Sequence, residues 1–136
     1  YSSSAASDVY KRQISPIIRN KRVLDLGSNT GVLPLIMLMS GAKEVIGVEL
    51  DELNYQTSLT YKKSLEWNLN KKFNLNMINK NMMEVTKWDN EYFDVITLYC
   101  SIYYLQYLFK ITKFTKCFLL HSFNYPSSKL FWTHVI

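Results

Sequence analysis

The sequence predicts an α/β domain: a doubly wound, mostly parallel sheet with helices on both faces. Three observations predict it. Residues 23–31 read Val-Leu-Asp-Leu-Gly-Ser-Asn-Thr-Gly, an apolar run that ends in a glycine turn. Val45-Ile46-Gly47-Val48-Glu49 is a second apolar run, closed by a carboxylate. Strand-like and helix-like segments then alternate as far as Phe123, and such alternation demands right-handed crossovers between parallel strands.

Each element has its own reason. Ile14–Asn20 reads as the end of a leading helix or a turn, broken at Pro16, because proline removes an N–H and clashes with the preceding turn. Arg22–Leu26 is a continuous apolar run of the kind found in buried parallel strands. Gly31–Ser40 is apolar all round and stops at Gly41, a helix-ending signal. Pro34 falls in its first turn, where a missing N–H costs little. Glu44–Val48 forms the second strand. Asp51–Asn70 reads as an amphipathic helix with Leu53, Leu59, Leu65 and Trp67 as its apolar residues and Asp51 as its N-cap. Asn74–Ile78, Tyr92–Tyr99 and Lys116–Phe123 are the third, fourth and fifth strands, and Ser101–Phe114 is a helix with a Tyr/Leu face. Asn124-Tyr125-Pro126 is a turn.

The chain has 136 residues, enough for one core. Residues 1–13 are small, polar and aperiodic, and read as a disordered or non-native leader. Residues 14–136 form the domain, whose apolar pattern stops without a terminating signal at Phe131–Ile136, as in a fragment. Residues 1–13 lack the apolar segment of a signal peptide, and no stretch is long and apolar enough to span a membrane. Cys100 and Cys117 lie in apolar runs with no CxxC and no Cys/His ligand spacing, which argues against a metal centre and for reduced thiols in a cytoplasmic protein. The net charge is +5, and no acid follows Asp94 while Lys110, Lys113, Lys116 and Lys129 remain. A basic face of this kind attracts nucleic acid, and the competing reading is a solvated helix surface.

A glycine turn after one strand and a carboxylate closing the next is how α/β domains hold a nucleoside. These residues resemble the class I S-adenosylmethionine-dependent methyltransferases, with a Rossmann-like sheet. The resemblance covers about residues 14–125 and rests on Asp25-Leu-Gly-Ser-Asn-Thr-Gly31, Glu49, Asn81, Asp94 and the segment Phe93–Leu105. Two departures stand out. Asn29 replaces the middle glycine of the family's Gly-x-Gly-x-Gly turn, a substitution that Asn tolerates because it enters left-handed backbone readily. The chain also has room for five strands and a piece of a sixth, where the family sheet has seven.

The resemblance implies a cofactor, S-adenosyl-L-methionine, and a set of contacts. Gly27, Ser28, Asn29 and Gly31 would cradle its amino-acid end with backbone N–H groups, beside the helix N-terminus. Asp25 would engage the ammonium directly or through water. Glu49 would accept both ribose hydroxyls, Leu50 and Met82 would wall the adenine, and Asn81 would bond its exocyclic amine. Tyr99 would complete the pocket. The acceptor (small molecule, tRNA or protein), any general base and the oligomeric state stay open. Tyr103, Tyr104 and His121 lie near the acceptor position, with core packing as the plainer explanation of each. Asp94 reads as structural.

Two other functions compete. A nicotinamide-dependent oxidoreductase shares the ribose carboxylate but expects Gly-x-Gly-x-x-Gly around a pyrophosphate. A non-catalytic nucleoside-binding domain keeps the site without turnover. The absence of Gly-Lys-Ser/Thr excludes a P-loop NTPase.

Overall fold

The computed structural model describes residues 2–87, 92–98, 118–120 and 131–133. The elements run α1 (Ser2–Ile18), β1 (Arg22–Leu26), α2 (Val32–Met39), β2 (Glu44–Glu49), α3 (Glu52–Leu69), β3 (Leu75–Asn79), a 3-10 turn (Met82–Lys87), β4 (Val95–Leu98), β5 (Phe118–Leu120) and β6 (Phe131–Thr133). The six strands form one sheet in the order β3-β2-β1-β4-β5-β6. All neighbours pair parallel except β5 and β6, which are antiparallel. The expected piece of a sixth strand is therefore a seated edge strand, with Leu119 opposite Trp132.

Strand order reverses at β1. Its successors β2 and β3 lie on one side and β4 on the other, which opens a crevice at the carboxyl ends of the strands. Side chains alternate across the sheet. Val23, Val45, Leu75, Met77 and Val95 share one core with Ile14 and Ile18 of α1 and with Leu35, Met37 and Leu38 of α2. Tyr55, Leu59 and Leu65 of α3 pack against the same core. Leu24, Leu26, Val48, Ile96, Leu98 and Phe93 form a second core on the opposite face, against which Met82 packs. The expected helix over 101–114 lies outside the described residues.

Two expectations are corrected. Pro16 does not break the leading helix, which runs through it from Ser2 to Ile18. The Arg19 N–H still reaches the Ser15 carbonyl at 3.1 Å. Ile14 and Ile18, one turn apart, are fully buried. Each stabilises by about 1.5–3 kcal/mol, enough together to offset the ~3 kcal/mol cost of an interior proline.

The second correction concerns the buried face of α3. Leu53 and Trp67 are 75% and 86% exposed. The buried stripe runs through Tyr55, Ser58, Leu59, Lys62, Leu65 and Glu66 instead. At 100° per residue these positions cluster on one side of the helix, while Leu53 and Trp67 fall opposite. Asp51 caps the helix as expected, its Oδ1 accepting from the Asn54 N–H at 2.8 Å.

Candidate functional site

The turn after β1 is built from three left-handed residues, Gly27 (φ 70°), Asn29 (φ 52°) and Gly31 (φ 79°). Asn29 adopts the conformation a glycine would otherwise supply. Gly31 has a second constraint: a Cβ there would lie 2.8 Å from Ser58 Cβ, so α3 seats directly against the turn. Gly47 similarly leaves room for Ser28, since its Cβ would meet Ser28 Oγ at 2.7 Å. Ser28 Oγ donates to the Asp25 carbonyl at 2.9 Å and sits over β2.

The turn's N–H groups do not all face outward, as the sequence suggested. Gly27 and Ser28 both donate to the Val48 carbonyl, at 2.9 and 3.0 Å, and Gly31 donates to the Ser28 carbonyl at 3.0 Å. Asn29 donates to Glu49 Oε2 at 2.7 Å. The reason is that the turn folds down onto the end of β2 and must satisfy its own buried donors. The first turn of α2 is different. Its N-cap is Gly31 and makes no side-chain cap, which leaves a helix N-terminus suited to a carboxylate.

Glu49 ends β2 and is held from two sides. Oε2 takes the Asn29 N–H, and Oε1 takes the Asp51 N–H at 2.9 Å. A carboxylate offers about four lone-pair positions, so each oxygen keeps acceptor capacity. The loop carrying it is pinned from below by Asn79, whose Nδ2 donates to the Glu49 and Leu50 carbonyls at 3.0 and 3.1 Å.

Asp25 lies near the end of β1, as expected, and is buried there. It is 1% exposed, lies in register between Gly47 and Thr97, and accepts the Thr97 hydroxyl at 2.6 Å. Burial pushes its carboxyl up to about 6, opposed by the Thr97 and Ser28 hydrogen bonds and assisted by the negative charge of Glu49. Its charge is thus poorly compensated in this state, and a cation above it would be favoured.

The remaining predicted residues divide. Leu50 is 66% exposed beside Glu49, and Met82 is half-buried. Asn81 is exposed and caps the 3-10 turn, its Oδ1 accepting the Met83 N–H at 3.0 Å. Tyr99, Tyr103, Tyr104 and His121 lie outside the described residues. Asp94 sits at the opposite end of the sheet, where its Oδ2 takes the Arg22 N–H at 2.8 Å and lies 3.6 Å from Arg22 Nε. It ties β1 to β4, a structural role. Thr97 and Asn79 escaped the sequence reading. The signal for Thr97 was a lone hydroxyl in the apolar run Val95–Leu98, and for Asn79 an amide closing β3.

No protein-family model and no curated protein matches the chain. Solved structures do. The methyltransferase yhhF of Escherichia coli, a candidate enzyme, superposes with TM-score 0.69 at 14% identity, covering 96% of this chain and 75% of that one. An S-adenosylmethionine-dependent methyltransferase of Mesorhizobium loti gives TM-score 0.63 at 15% identity, over 84% of this chain. The chain has the methyltransferase fold. A candidate RNA methyltransferase of Pyrococcus horikoshii shares that fold, with TM-score 0.67 and 21% identity over 89% of this chain. The chain spans 59% of the Pyrococcus protein and 51% of the Mesorhizobium one. Among the described residues no helix is long and apolar enough to cross a membrane.

Proposed function

We propose that the chain is the cofactor-binding part of an S-adenosylmethionine-dependent methyltransferase whose acceptor is unidentified. The observation that carries the reading is the double anchoring of Glu49 by the Asn29 and Asp51 N–H groups. It fixes both oxygens while leaving each able to accept a ribose hydroxyl. The fit extends to the rest of the cofactor. The uncapped α2 N-terminus suits a carboxylate, the buried Asp25 suits an ammonium or sulfonium, and Leu50 offers an exposed apolar wall for adenine.

When bound, the cofactor supplies a methyl carbon activated by the sulfonium. The chain's own part is to hold it. Asn79 and Asp51 fix the Glu49 loop, and Thr97 orients the Asp25 carboxylate. Positioning of this kind can contribute about 7–11 kcal/mol to a bimolecular displacement. A nicotinamide dinucleotide fits less well, because the glycines of the turn lie four apart with Asn29 between them, where a Gly-x-Gly-x-x-Gly turn is expected. A cytoplasmic location belongs to the same proposal and rests on the two widely spaced cysteines.

Calorimetric titration with S-adenosylhomocysteine and with NAD tests it. Binding of the first alone is the expected result, and binding of NAD alone overturns the proposal.

A further inference from the structure

The far end of α3 carries a feature the cofactor site does not use. Trp67 is 86% exposed, an unusual position for an indole, whose burial is worth more than that of almost any other side chain. It lines a concavity of about 270 Å³ with Lys63, Glu66, Asn70, Lys71 and Lys72. Asn70 is left-handed (φ 46°), which ends the helix and turns the following lysines back beside it.

The charges there are unevenly spent. Glu66 is 10% exposed, accepts the Phe73 N–H at 2.8 Å and lies 3.3 Å from Lys72 Nζ and 4.0 Å from Lys62 Nζ. Lys62 is itself tied to the Leu75 carbonyl at 2.9 Å. Lys63 and Lys71 are exposed; Lys63 lies one turn before Trp67, about 6 Å along the helix, and Lys71 follows the Asn70 cap and lines the same concavity, its Nζ 5.4 Å from the centre of the Phe73 ring. Basic residues at a helix C-terminus also complement its dipole, but the dipole does not explain an exposed indole between them.

We infer that Lys63, Trp67 and Lys71 form a docking surface for single-stranded nucleic acid, with a base stacked on the Trp67 ring and phosphates on the two lysines. Charge complementarity selects this occupant: a polyanion with flat apolar faces matches a stacking platform between cations. Trp67 lies about 22 Å along α3 from Glu52, so the surface is separate from the cofactor site and its occupancy does not depend on that reading.

Fluorescence anisotropy of a labelled oligo-uridylate of about 12 nucleotides tests the surface on the full chain. Wild type should bind, and more weakly as salt rises from about 50 to 200 mM. Trp67→Ala should weaken binding about tenfold. The double variant Lys63→Glu, Lys71→Glu should weaken it further and flatten the salt dependence. All these side chains are exposed, so thermal melting should be unchanged in the variants, and Glu49→Ala should bind the oligonucleotide as wild type does. No binding at low salt, or binding indifferent to these variants, overturns the inference. So does displacement by poly-glutamate at equal charge, which points to an acidic peptide, or a dimer that Trp67→Ala dissociates while oligonucleotide binding is unaltered.

Discussion

Glu49 Oε2 accepts the Asn29 N–H at 2.7 Å across 20 residues of chain. This bond joins the tip of the β1 turn to the tip of β2 and fixes the one against the other. It makes Glu49, the residue proposed to hold the ribose, a brace for the turn as well.

Glu49→Ala should therefore weaken S-adenosylhomocysteine binding by about 1.5–3 kcal/mol, the scale of hydrogen bonds to a charged group. Glu49→Gln, which keeps one acceptor oxygen, should lose less. Calorimetry measures both, and equal affinity in Glu49→Ala and wild type would remove the ribose assignment.

Asn79 has no expected contact with ligand, yet it holds the Glu49 and Leu50 carbonyls. Asn79→Asp replaces a donor with an acceptor facing two carbonyls. It should lower cofactor affinity about tenfold with a smaller loss for Asn79→Ala, because only the charged variant repels the loop. An unchanged dissociation constant in both variants would show that the loop does not need this anchor.

Gly31→Ala should destabilise the fold by about 2–4 kcal/mol, combining left-handed strain with a Cβ 2.8 Å from Ser58 Cβ. Ser58→Gly removes that Cβ, so the double variant should be more stable than the sum of the two single changes. Urea denaturation reads the coupling, and simple additivity would mean the two positions do not touch.

Asp25 gives a pH prediction with a definite sign. Its carboxyl is raised from 3.8 to about 6 in the folded chain, so between about pH 4 and 6 the folded state binds more protons than the unfolded one. Its contribution to stability therefore falls as pH rises through that window, by up to about 3 kcal/mol. Asp25→Asn should lack this fall, and the difference between the two pH–stability curves isolates it. Affinity for the cationic cofactor should run the other way, strengthening as Asp25 ionises above pH 6. Parallel stability curves for wild type and Asp25→Asn would refute the buried-acid account.

Asp94→Ala should lower the melting temperature while leaving cofactor affinity intact. The bond to the Arg22 N–H and the half-exposed ion pair are together worth about 1 kcal/mol after solvent screening. A selective loss of cofactor binding would contradict its placement at the far end of the sheet.

The sequence by itself determined the alternation of strands and helices, the glycine turn, the carboxylate closing β2 and the Asp51 cap. Each is written in neighbouring residues, as periodicity, as a residue able to enter left-handed backbone, or as a capping side chain. Composition does not reveal which face of α3 is buried, because Leu53 and Trp67 are apolar yet lie opposite the buried stripe. Only the tertiary structure decided that Asp25 is buried under Thr97, that Asn79 pins the Glu49 loop, and that the turn spends most of its N–H groups inward. Those pairings join residues 20 to 72 positions apart. They arise from strand register and loop closure, which no local pattern of residue types encodes.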